Sequence, residues 1–244
     1  MAPPAVVLLN PLAASQAVLG TRPDAIPLRD TLHRELSLES FRGKPLLVSF
    51  VYTGCFQVCP ITTQYLARAV RSMRDALGRD AFRVVTIGFN QPFDGPEAMA
   101  AYARQNGIND PDWAFLSVDA KQIGELTRQF GFSYQATPKG FDHIAQVTVV
   151  GADGAIYRQV YGDTFDLPLL AEPVKELLSG EVRRASTLDD VWTRVKLYCT
   201  VYDPVTGGYR ANYSLFVEIF AGLSILGGVL LFLLNERRRR PRSV

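Results

Sequence analysis

The chain has 244 residues, 48% of them hydrophobic and 11% aromatic, which supplies material for a real core and excludes a disordered chain. Its formal charge of +2 hides an asymmetry: five of the 26 basic residues crowd into the last eight positions, so the body is near neutral and nucleic acid is excluded as a partner. Three cysteines are too few for a disulfide scaffold, and only two histidines are present to build a metal site, His33 and His143.

In chain order, residues 1–24 read as an N-terminal segment, a signal remnant. An apolar run precedes Ser15 and Ala17, spaced as at a cleavage site, although no basic residue leads it and Asn10-Pro11 interrupt it. Residues 45–52 (PLLVSFVY) are an uninterrupted apolar run, the pattern of a central strand buried on both faces. Residues 60–77 place Ile61, Tyr65, Leu66, Ala69, Met73 and Leu77 at helical spacing before Gly78. A strand over 82–89 follows, then a helix opened by Pro96-Glu97 and closed by Gly107. A strand over 113–118 comes next, and a helix capped by Asp119 runs to Phe130. Strands over 144–150 and 156–161 flank Gly151-Ala152-Asp153-Gly154, a hairpin signal, and a helix over 167–178 stops at Gly180. Strand and helix in alternation, then an antiparallel hairpin, then a helix, predict an α/β fold of thioredoxin-like order: a mixed sheet flanked by helices over residues 25–180.

Residues 181–212 form a polar juxtamembrane connection with turns at Asp203-Pro204 and Gly207-Gly208. Residues 213–234 (YSLFVEIFAGLSILGGVLLFLL) carry one charge, and at about 1.5 Å per residue they are long enough for a transmembrane helix across a hydrocarbon layer of roughly 30 Å. Residues 235–244 are a basic tail. The arginines at 237–240 and 242 place that tail in the cytoplasm and the body on the periplasmic or extracytoplasmic side, so the chain is expected to be single-pass. Within the helix, Glu218 is costly unless it reaches water or a partner, and Ser224 with Gly228 would allow a second helix close approach.

Cys55 and Cys59 fall at the C-terminal end of the first apolar strand, where the next helix begins, the edge at which open α/β sheets bind ligands. The field of a helix start favours thiolates, so these thiols are expected to ionise near neutral pH. Three residues separate them, rather than the two of a thiol-oxidoreductase signature. Four apart on a helix, their β-carbons would lie about 5–6 Å apart, wide for an unstrained disulfide. Cys55 just ahead of the helix could close that gap, so a disulfide stays open as an alternative. An ion between two soft sulfurs, completed by an imidazole, suits copper, whereas zinc would normally want a fourth ligand. His143, at the start of the strand over 144–150, is the candidate third ligand, with Asp142 as the group that orients its ring. His33, in a polar turn region, reads as a solvated surface residue. Cys199 reads as a buried apolar cysteine, an extra metal or redox group, or a partner contact.

The residues Arg42-Gly43-Lys44-Pro45, the stretch 50–60 (FVYTGCFQVCP), Phe93-Asp94-Gly95-Pro96-Glu97 and Asp142-His143 together resemble the Sco/SenC family over roughly residues 25–180. The chain differs from the family's usual pattern in having Phe56-Gln57 where a proline-aspartate pair is frequent, and an anchor at the C-terminus instead of the N-terminus. The resemblance implies copper held by Cys55, Cys59 and His143. It also implies a metallochaperone, rather than an enzyme, that delivers the ion to the dinuclear copper site of a cytochrome oxidase. The alternative is a thiol–disulfide oxidoreductase that uses Cys55 and Cys59 as a redox pair to keep client cysteines reduced, and needs no histidine.

Overall fold

The computed structural model describes residues 11–55, 58–138, 140–162, 164, 166–182, 200–203, 208–211, 220, 224 and 226–227. Helix α1 (Pro11–Ala17) leads to two short strands, β1 (Leu28–Asp30) and β2 (Glu35–Leu36), and a 3-10 turn at Leu38–Phe41. Strands and helices then alternate: β3 (Leu46–Val51), α2 (Val58–Leu77), β4 (Arg83–Gly88), α3 (Pro96–Gln105), β5 (Trp113–Val118) and α4 (Ile123–Gln129). The hairpin of β6 (Tyr134–Thr137) and β7 (Gly140–His143) precedes β8 (Gln146–Val150) and β9 (Ile156–Tyr161), and α5 (Leu167–Val182) follows. Two further short strands, β10 (Thr200–Asp203) and β11 (Gly208–Ala211), pair antiparallel, with β11 beside α2; the turn expected between them lies outside the described residues.

The main sheet has the order β2-β1-β5-β4-β3-β8-β9. Strands β3, β4 and β5 run parallel, whereas β8 lies antiparallel to β3 and β9 to β8. All six residues of β3 are buried, as a strand covered by helices on both faces requires. The mixed sheet with its flanking helices is the thioredoxin-like α/β fold. This topology places the site. The C-terminal ends of β3 and β4 reach one edge together, and the antiparallel β8 begins at that same edge. The ladder between β3 and β8 closes at Ser49↔Val147, so the chain leaving β3 toward Cys55 and the chain entering β8 from His143 lie at the same edge.

Several expectations shift. Helix α2 starts at Val58 rather than Pro60, which puts Cys59 inside its first turn, where a proline is tolerated because the first N–H groups have no intrahelical partner. Asp119 does not cap α4 directly: its carbonyl accepts from Gln122 and Ile123, and its carboxylate accepts from Lys121, making a turn before Ile123. Helix α5 runs through Pro173 and Gly180 to Val182. Of the segment set apart as residues 1–24, the part from Pro11 on belongs to the domain. Ser15 is buried, donates to Gln146 at 2.8 Å and accepts from Tyr161 at 2.9 Å, while Thr21 and Gly20 bond Ile156 of β9.

Among the described residues no helix is long and apolar enough to cross a membrane. The span expected at 213–234 lies outside the described residues except for Phe220, Ser224, Leu226 and Gly227, all helical. Glu218, Gly228, Cys199 and the basic tail lie outside them altogether.

Candidate metal centre

Past the end of β3 the chain turns through Tyr52, Thr53 and Gly54, and the Cys55 N–H closes the turn on the Tyr52 carbonyl at 3.1 Å. Asp94 holds this loop. It is fully buried; one carboxylate oxygen accepts from Thr53 N at 2.9 Å and Thr53 Oγ1 at 2.7 Å, and the other accepts from Asn90 N at 2.8 Å. A single side chain thus ties the loop after β3 to the loop after β4. Burial pushes its carboxyl above the usual range, against the pull of the donors from Thr53 and Asn90. The close packing demands a glycine beneath it, because a β-carbon at Gly88 would stand 2.4 Å from Asp94 Cβ and 2.8 Å from Met99 Sδ.

Cys55 and Cys59 are both buried thiols, and the Cys59 N–H donates to Cys55 Sγ at 3.3 Å. The sulfur of Cys55 therefore occupies the place of a helix N-cap acceptor. The expectation that both thiols ionise readily does not hold for Cys59. Its thiol is pushed up to about 12, first by burial, with the backbone N–H of Tyr52 working in the opposite direction. Loss of hydration outweighs the field of the helix end.

His143 ends β7, in the separate two-stranded sheet, paired with Tyr134. Its ring packs against Phe89 and Phe132, centroids 5.6 Å from each, and edge-on to Tyr52 at 6.5 Å. Nδ1 lies 3.2 Å from the carbonyl oxygen of Ile144, which can only accept, so Nδ1 carries the proton and Nε2 keeps its lone pair. Burial pushes the imidazole below its ordinary value, toward the neutral form that binds metals. The orienting partner is that carbonyl, not Asp142. Neighbours along a strand point to opposite faces, and Asp142 is exposed.

Tyr52 stands between the two parts. Its carbonyl takes the Cys55 N–H, its ring meets Phe141 at 5.1 Å, and the acidity of its hydroxyl is suppressed to about 12, chiefly by burial and then by the neighbouring Cys55. Phe89, Phe132, Phe141 and Tyr134 complete an aromatic wall with ring contacts of 4.7–5.8 Å. Among the described residues no three His, Cys, Asp or Glu side chains form a ready-made metal cluster. The cysteine loop and His143 meet through the Tyr52 side chain instead. His33 is half exposed on the surface, as expected, but it is paired with Glu97 at 2.8 Å on the first turn of α3. Sequence reasoning assigned no role to Tyr52 or Asp94. For Asp94 the only signal was its place in the stretch 93–97.

Two soft sulfurs and a neutral imidazole with a free lone pair fit a soft metal ion, and the sulfurs alone fit thiol–disulfide exchange. Residues 27–179 match the SCO1/SenC family. The "SCO1 protein homolog" of Bacillus subtilis is 24% identical over 159 residues, 64% of this chain and 78% of that protein. The human "Protein SCO2 homolog, mitochondrial" is 26% identical over 146 residues, 57% of this chain and 53% of that protein, so the chain spans only about half the length of that relative. Among solved structures, Bradyrhizobium japonicum ScoI with copper bound superposes at a TM-score of 0.55 with 22% identity, covering 64% of this chain and 99% of that one. BsSco, described as having a disulfide switch and as a member of a family of cytochrome c oxidase assembly proteins, superposes at 0.58 with 19% identity, over 65% and 96%.

Proposed function

The chain belongs to the SCO1/SenC family, and from that premise we propose that it is a copper metallochaperone anchored in a membrane by residues 213–234. Cys55, Cys59 and His143 take the ion, and the recipient is the dinuclear copper site of a cytochrome oxidase. The observation that carries this reading is the His143 ring, edge-on to the same Tyr52 whose carbonyl takes the Cys55 N–H. Loading draws the β6–β7 hairpin and the cysteine loop together around the ion. Unloading is ligand exchange: each sulfur is replaced in turn by a donor of the recipient. A body held at the membrane surface meets a membrane-bound recipient at raised effective concentration.

The second reading is a thiol–disulfide oxidoreductase. Two cysteines linked by the 3.3 Å Cys59 N–H to Cys55 Sγ bond favour it. One experiment separates the two: bound copper and disulfide-reductase turnover are measured on the same samples of wild type, Cys55→Ser, Cys59→Ser and His143→Ala. The chaperone reading expects one copper per wild-type chain, lost in all three variants. Stoichiometric copper in His143→Ala removes that residue from the site, and turnover that depends on the cysteines but not on His143 supports the oxidoreductase.

A further inference from the structure

The side chain that couples the two halves of the site is neither a cysteine nor a histidine. Tyr52 leaves the end of β3 with 8% of its surface exposed, its hydroxyl directed at the tip of the β6–β7 hairpin. Its carbonyl accepts the Cys55 N–H at 3.1 Å, and its hydroxyl lies so near the backbone of Gly140 that a β-carbon at that position would stand 2.5 Å from the oxygen. Gly140 has φ +126, so the chain bends around the hydroxyl at a place only glycine occupies without strain. The ring makes edge contacts with Phe141 at 5.1 Å, Phe89 at 5.5 Å and His143 at 6.5 Å. One residue thus belongs to the turn that carries the first sulfur and reaches, through its side chain, the hairpin that carries the imidazole.

We propose that Tyr52 is a positioning residue, whose hydroxyl ties the cysteine loop to the hairpin and sets the separation of Cys55 and His143 for copper. This rests on the copper reading of the site. Phenylalanine in its place would keep every ring contact and lose only the tie. Partners of that kind behind a metal ligand change affinity by about 10- to 100-fold when removed.

The test compares wild type, Tyr52→Phe and, as a control that loses a hydroxyl bond at the opposite end of β9, Tyr157→Phe, whose hydroxyl donates to Glu176. Three readouts are taken on the full chain: copper(I) affinity by competition with a chromophoric chelator, the sulfur-to-metal absorption band of the copper(II) form, and hydrogen exchange of the Phe141 amide without metal. Tyr52→Phe is expected to bind copper at unchanged stoichiometry, about 10- to 100-fold more weakly, with a shifted band and a faster-exchanging Phe141 amide. Tyr157→Phe is expected to match wild type in all three. Wild-type affinity and band in Tyr52→Phe overturn the proposal, as does an unchanged Phe141 exchange rate. If wild type takes up no copper, the function reading fails, and the exchange rate alone still decides whether the tie exists.

Discussion

Asp94 is buried with no ion pair among the described residues, and both of its oxygens are filled by donors, those of Thr53 and Asn90. Removing it leaves part-buried N–H groups of Thr53 and Asn90 without their acceptor, each worth about 1–3 kcal/mol, so Asp94→Ala is expected to lower unfolding stability by about 3 kcal/mol. Asp94→Asn keeps an acceptor and sheds the buried charge, so it should cost clearly less. Urea denaturation of the metal-free protein measures both, and an alanine variant within 1 kcal/mol of wild type, on the order of one ordinary hydrogen bond, would rule out a role for Asp94 in holding the loop. At this scale the sequence was partly legible. The scarcity of histidine singled out His143, and the spacing of Cys55 and Cys59 set them apart from a redox signature. What spacing does not report is hydration. The rise of the Cys59 thiol comes from burial under tertiary contacts, and so does the fall of the His143 imidazole.

Among the elements, β3 was readable from its apolar run alone, and β5 and β9 fall within the bounds that their patterns predict. The hairpin that carries His143 was not. Its strands are four residues each, mostly half-buried or exposed, and they pair only with each other, so they show neither an apolar run nor a clear alternation. Helix α1 was missed for a related reason: what docks it is the bonding of Ser15 to Gln146 and Tyr161, far away in sequence. The hairpin's fit to Tyr52 can be tested by glycine replacement. Gly43 also has a positive φ, +90, but nothing lies within 4 Å of a β-carbon there, whereas Gly140 would meet the Tyr52 hydroxyl. Both alanine variants should show backbone strain of about 1–3 kcal/mol. Only Gly140→Ala should also weaken copper binding. Equal copper affinity in the two variants would mean that the hairpin's seating on Tyr52 is irrelevant to the metal.

For the whole molecule, the sheet explains why residues some 84 to 88 positions apart can share a site, since His143 precedes a strand antiparallel to the one that Cys55 follows. The alternating pattern made that topology legible, although it could not say how closely the two halves approach. The C-terminal apolar stretch adds the second half of the proposal. The full chain should stay with membranes through an alkaline wash, and protease added outside sealed, right-side-out vesicles should remove the body while sparing the arginine tail. Release of the full chain by the wash, or a body protected from that protease, would argue against the anchor or its orientation.

The central claim is that two sulfurs and one distant imidazole converge on one ion. X-ray absorption at the copper edge, on the copper(I)-loaded full chain and its His143→Ala variant, reads that directly. The account predicts two sulfurs and one nitrogen around a single copper in wild type, with the nitrogen lost in the variant. A shell of sulfur alone, identical in both proteins, would contradict it.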